Sequence, residues 1–216
     1  MVELLIGLSL AMLLTAAMLL SYTFLVRSLI RSSNQQQLEA QSRRALQMLT
    51  KDVHMADQIA YTYDPTKDIT QNSTWQTMPA AEQVTFRLSV LNDSGGTYIY
   101  AVTYVYDANA GTLTRTVSVS SGSSSGTPPS GFNANSLTLL GDPTDPSVAR
   151  TKVSNFIFNY LDKQGSPVDM SYPLRIKQIE VSSFVVTRGS PAVGTQSSYT
   201  GTSARLVLRS KHLVNY

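Results

Sequence analysis

The chain contains no cysteine, which excludes disulfides, thiolate metal sites and thiol catalysis together. Charge is scarce as well. Only 14% of the 216 residues are Asp, Glu, Lys or Arg, and the formal net charge is +3. No basic run exceeds the pair Arg43–Arg44. That is no footprint for a polyanion, and nucleic acid is not expected as a dedicated ligand. The two histidines, His54 and His212, lie far apart in sequence and read as surface or packing residues. No HExxH, P-loop, glycine-rich nucleotide fingerprint or Ser–His–Asp order occurs. The chain is therefore not expected to be an enzyme or to carry a cofactor. Helix breakers are missing from a long N-terminal stretch. Its only glycine is Gly7, and the first proline is Pro65.

What fills that stretch is an apolar run. Residues 4 to 26 read LLIGLSLAMLLTAAMLLSYTFLV, without a charge. About 23 residues at ~1.5 Å rise give roughly 35 Å of helix, enough to cross a hydrocarbon core of ~30 Å. Glu3 stands at its edge. A carboxylate there must reach an interface, stay protonated or pair with a group on another molecule. Its nearest basic residue is Arg27, roughly 36 Å away along a helix. The run is longer than the apolar region of a secretory signal and no basic residue precedes it. The positive charges Arg27, Arg31, Arg43 and Arg44 all follow it. Taken alone, the positive-inside rule places the large C-terminal part in the cytoplasm. Removal of a basic leader ahead of Met1 reverses that expectation and is the preferred reading. Abundant Ser and Thr with little Lys also give a surface like that of exported proteins.

The helical signal then turns amphipathic. Leu38, Ala45, Leu49, Val53, Ala56 and Ala60 recur at spacings of three, four and seven, with Leu46 widening the stripe. Lys51 and Asp52 are read with the polar residues between them. One nearly continuous helix is expected from about residue 2 to about residue 60. A β-rich part follows, giving an α+β fold: a long N-terminal helix, apolar then amphipathic, packed on an antiparallel sheet. Its expected divisions are a membrane or filament-core helix over 1–30, an amphipathic helix over 31–60 and a globular domain over 61–216. Val84–Val90, Thr97–Tyr106 and Leu113–Val119 read as an antiparallel meander, turned at 92–96 and 107–111. Single strands are expected at Val153–Leu161, Ile176–Thr187 and Ser203–Val214. Residues 120–131 read as a flexible loop, 141–147 as a turn and 188–202 as a Gly/Ser-rich loop.

Met1-Val2-Glu3-Leu4-Leu5-Ile6-Gly7-Leu8 resembles the start of a type IV pilin or type II secretion pseudopilin. In that family a basic leader is cleaved after a glycine. The mature end then reads aromatic, small polar, aliphatic, aliphatic, Glu, ahead of an apolar helix. Met1, Val2 and Glu3 match the last three of those five positions. RRALQMLTKDVHMADQI, the hairpin at Tyr104–Asp107 and Gly111–Arg115, and Asn155–Gly165 resemble larger minor pilins and J-type pseudopilins. The cysteine pair of many major pilins and their helix-kinking proline are absent.

The resemblance implies a structural filament subunit. Glu3 would pair with the N-terminal amine of a neighbouring subunit, and Leu4, Leu5, Ile6, Leu8, Leu10, Leu13 and Leu14 would pack in the filament core. Implied partners are further copies or other pilins, the inner membrane before assembly, a prepilin peptidase and an assembly platform. The implied location is the bacterial inner membrane, then a periplasmic or extracellular filament. The competing expectation is a single-span anchored adhesin or binding domain that does not polymerise.

Weaker signals have plain readings. Asp142, Asp145 and Asp107 are loop carboxylates of the type that bind calcium, though no defined calcium loop is present, and turn chemistry explains them as well. Tyr98, Tyr100, Tyr104 and Tyr106 read as sheet packing against the helix, or as an adhesive face. Asn72-Ser73-Thr74 and Asn92-Asp93-Ser94 are formal glycan acceptors.

Overall fold

A computed structural model describes residues 2–56, 58–60, 82–91, 97–119, 135–141, 151–168, 176–190, 195–201 and 203–208. Helix α1 spans Val2–Met55, 54 residues in one piece, or about 80 Å. The absence of internal proline leaves every i to i−4 bond available along it. The helix stops five residues short of the expected end. Ala56 closes a tighter turn onto the Val53 carbonyl, and Gln58–Ala60 forms a short strand, β1, instead. β1 is captured by its neighbour: Ile59 opposes Phe86, and this pairing overrides the local helical pattern.

The meander is present. β2 (Gln83–Leu91), β3 (Thr97–Asp107) and β4 (Thr112–Val119) pair antiparallel, with β1 and β5 (Asn135–Leu140) on the two flanks. Gly111 turns the β3–β4 hairpin at φ 67°, a left-handed conformation that glycine adopts without a Cβ penalty. β5 had no reading of its own in the sequence. Its burial pattern shows why: four exposed residues precede Leu139 and Leu140, so no alternation marks it.

The second half departs from the expected single strands. Val153–Leu161 is two strands, β6 (Thr151–Ser154) and β7 (Phe158–Leu161). Ile176–Thr187 is also two, β8 (Gln178–Val181) and β9 (Phe184–Ser190). The expected loop 188–202 holds the end of β9 and a full strand, β10 (Thr195–Gly201). The last described strand is β11 (Ala204–Val207); residues 209–214 of the expected Ser203–Val214 lie outside the described residues. These six strands form two three-stranded sheets, β10-β9-β6 and β11-β8-β7.

The breaks are aligned. Ser154 opposes Val185 and Phe158 opposes Val181, so the register crosses the gap unchanged. Gly201 opposes Phe184 and Ala204 opposes Val181, and there too the register is kept. The two sheets are one three-stranded layer creased along a single line. Asn155, at φ 62°, makes the crease on the first strand. Ser182 holds it: its hydroxyl donates to the Asn155 carbonyl at 2.8 Å and accepts from the Ile157 amide at 3.1 Å. On the third strand, a Cβ at Gly201 would fall 2.4 Å from the Phe184 ring. The missing side chain makes room for that ring.

The core lies between the five-stranded sheet, the creased layer and the C-terminal third of α1. Leu38, Ala45, Leu49, Val53 and Ala56 are buried as the stripe predicts. Tyr100, Tyr104 and Tyr106 are buried too, so these three present no outer face; Tyr98 falls outside the described side chains. Phe156 sits at the crease, 4.9 Å from Phe184 and 5.3 Å from Phe158 between ring centroids. The loops 120–131 and 142–147, the 92–96 turn, both glycan acceptors, His212, Asp142 and Asp145 lie outside the described residues.

Candidate assembly surface and the clamp beneath it

Residues 2–37 of α1 contain no buried residue. Leu4 is 79% exposed, Leu5 68%, Ile6 55%, Leu8 59%, Leu10 57%, Leu13 70% and Leu14 61%. Over residues 2–25 the exposed residues lie on all sides of the helix, and cover begins only with half-buried Val26, Ile30 and Asn34, which step by four into Leu38. The most apolar 18-residue stretch has mean hydropathy 2.3, and α1 is long and apolar enough to cross a membrane. Three of its hydroxyls, on Ser9, Thr15 and Thr23, are turned inward onto the helix. Ser9 donates to the Ile6 carbonyl at 2.8 Å, Thr23 to Leu20 at 2.9 Å, and Thr15 to the carbonyls of Ala11 and Met12. These three hydroxyls are thus satisfied within the rod, as an apolar surrounding requires. Glu3 lies exposed in the first turn, where the helix dipole favours an anion.

The rod meets the head at Gln37 and Leu38. The Gln37 side chain accepts a hydrogen bond from the Arg188 guanidinium on β9, and Leu38 is the first buried side chain. From there α1 packs against β2, β5, β9, β10 and β11.

The join contains a group that the polar reading of Asp52 missed. Asp52 is 3% exposed. Its carboxylate accepts from the Tyr104 hydroxyl at 2.5 Å. It also accepts two bonds from Arg115, Nε to Oδ2 at 2.7 Å and Nη2 to Oδ1 at 3.2 Å. Tyr104 and Arg115 oppose each other across the β3–β4 ladder, so a single register places both donors under the helix. Burial pushes the Tyr104 hydroxyl well above the usual tyrosine range, and the Asp52 charge and hydrogen bond add to it. For Arg115, burial opposes its charge, but the bond and charge of Asp52 outweigh it and hold the guanidinium protonated more firmly than usual. The arrangement clamps helix to sheet. It is a bidentate ion pair in a nearly dry site, with a phenol as third member. Spacing held the signal: Leu38, Ser42, Ala45, Leu49, Asp52 and Ala56 step by four and three, the positions of one helix face.

Of the calcium candidates, Asp107 is engaged in its own turn. Its Oδ1 accepts from the amides of Asn109 at 2.8 Å and Ala110 at 3.0 Å. Among the described residues no group of three His, Asp or Glu side chains converges as metal ligands do. His54 is exposed in the last turn of α1. Comparison of the chain with protein-family models, with curated proteins and with solved structures returned no match.

Proposed function

We propose that this chain is a structural subunit of a helical filament of the type IV pilus or secretion-pseudopilus kind. In this reading the rods form the core and the β-rich heads form the outer surface. The observation that carries the proposal is the rod itself, an apolar helix whose large side chains are uncovered on every face while its continuation is bound into a head. Each Leu, Ile, Met or Phe fully removed from water is worth about 1.5–3 kcal/mol. Lipid covers the rod before assembly, and rods of other copies cover it afterwards. Lipid is as apolar as leucine, so polar contacts select the partner and the register while the subunit is in the membrane. Glu3, beside the N-terminal amine of a neighbour, is the group assigned that task. Leu4, Leu5, Ile6, Leu8, Leu10, Leu13 and Leu14 pack behind it. The subunit enters from the bacterial inner membrane, after leader cleavage by a prepilin peptidase, and an assembly platform extracts it into a periplasmic or extracellular polymer. Heterologous contacts that do not close produce such open-ended polymers.

The test is Glu3→Ala. Breaking a buried pair costs about 3–5 kcal/mol, so filament yield should fall at least tenfold while the head keeps its thermal midpoint. Normal yield and normal subunit spacing would rule out the pairing role. A single-span anchor that does not polymerise would give no filament from either protein.

A further inference from the structure

The exposed rod carries few charges. Between Val2 and Leu38 they are Glu3, Arg27 and Arg31. All three are exposed, and among the described residues no ion pair involves any of them. The next acid, Glu39, is already paired with Arg43 at 2.6 Å. Helix geometry sets Glu3 about 36 Å from Arg27 and about 42 Å from Arg31 along the axis. A chain cannot join these charges within itself.

The angles around the axis restrict the possibilities further. At 100° per residue, Arg27 and Arg31 lie about 40° apart, on one side of the rod. Glu3 lies about 240° round from Arg27 and about 280° from Arg31, off that side. An antiparallel, two-fold pair would need acid and base on a shared face. Different faces suit a parallel copy displaced along the rod, which offers its acidic tip to the basic collar of the copy beside it. That contact is heterologous and repeats without closing.

We propose that Arg27 and Arg31 together receive the Glu3 carboxylate of a second copy of this chain, staggered by about 36–42 Å along the rod. The inference rests on the filament reading above and adds a contact to it. Copies at smaller displacements cover the apolar surface between the two charged ends. The two guanidiniums sit where the apolar run gives way to the polar stretch Ser32–Gln37. There the pair is partly shielded from water and its attraction exceeds that of a surface ion pair.

The chain has no cysteine, so an introduced thiol is unique. Full-length protein carrying Leu4→Cys is mixed with protein carrying Ser28→Cys. Detergent is diluted away, and the sedimented assemblies are treated with a short bis-maleimide. The cross-linked product should exceed that from Leu4→Cys mixed with Leu29→Cys, a position at the same height on the far side of the rod from the two arginines, by about tenfold. Glu3→Arg should lower the sedimentable fraction by about tenfold, the equivalent of about 1.4 kcal/mol. Adding Arg27→Glu and Arg31→Glu to Glu3→Arg should raise it by about threefold over Glu3→Arg alone, short of the native level because the contact with the neighbouring amine stays broken. Assemblies that form without the 4-to-28 preference, or without rescue by the charge swap, would overturn this inference and leave the filament reading standing. A native chain that remains single after detergent removal would overturn both.

Discussion

Residues 2–37 and 38–55 of α1 belong to one unbroken helix, yet they obey opposite rules. In the first segment no residue is buried, although most are apolar. In the second, one face is buried, and that face includes a serine and an aspartate. Helix continuity is therefore independent of where the apolar surface goes. The second segment is finished as a folding problem, because the head supplies a cover and a partner for Asp52. The first is unfinished, because its apolar surface finds no full cover among the described residues. The rod is joined to the head first at Gln37 and Leu38, and Asp52 fixes the same helix to the sheet further along through Tyr104 and Arg115.

The sharpest way to break this comparison is to remove the uncovered segment. A chain beginning at Arg27 should change from detergent-dependent to soluble and single, read by light scattering. Its thermal midpoint should stay within about 2 °C of that of the detergent-solubilised full chain, since the deleted residues bury nothing in the head. A large fall would mean that the rod supports the head in a way its exposure denies.

The next effect separates the clamp from ordinary packing. Asp52→Ala leaves the Arg115 guanidinium desolvated without its anion and the Tyr104 hydroxyl without an acceptor. Urea unfolding should show a loss of about 3–5 kcal/mol. The double variant Asp52→Leu with Arg115→Met removes both charges and should recover most of that loss. If single and double variants were equally destabilised, Asp52 would matter for its shape alone.

How far these features could be read in advance follows from the same contrast. The rod was legible because uncharged length is a coarse signal that survives without a partner. The stripe from Leu38 to Ala56 and the β2–β4 meander were legible because each alternates over many residues. Asp52 was not, since a lone carboxylate on an apolar face takes its meaning from Arg115, sixty-three residues away, through the β3–β4 register. β10 was not, because Thr, Gln, Ser and Gly pair as an edge of the creased layer without any apolar pattern. The crease was hidden inside two stretches, 153–161 and 176–187, that each read as one strand. It is set by backbone conformation at Asn155 and by the Ser182 hydroxyl, neither of which alters periodicity.

Alkaline pH offers a smaller effect centred on the clamp, with Tyr106, whose hydroxyl is also pushed up by burial, adding to it. Tyr104 keeps its proton more tightly in the folded head than in the unfolded chain. Its contribution is fully present below the unfolded value near 10 and is lost progressively as pH rises above it. The unfolded state then releases the proton first, so stability must fall with rising pH. Urea midpoints measured from pH 8 to 11 should be flat and then decline. Tyr104→Phe should start about 1.5–3 kcal/mol lower, for the lost bond to a charged acceptor, and should decline less steeply above pH 10.

The smallest expected effect has the opposite sign and tests whether the buried face is fully optimised. Ser42 is 1% exposed on the stripe between Leu38 and Ala45. Its hydroxyl has no hydrogen-bond partner among the described residues. A buried hydroxyl without a bond costs about 1–3 kcal/mol, and alanine is also the better helix former. Ser42→Ala removes the orphaned atom and almost no volume, so the head should gain about 1 kcal/mol, read as a higher urea midpoint with an unchanged slope. The same change at Ser9 in the rod should leave head stability untouched, because the Ser9 hydroxyl is already bonded to Ile6 and faces no part of the head. A loss at Ser42 would mean that the hydroxyl finds a partner in solution, and that the join between rod and head is wetter than its burial implies.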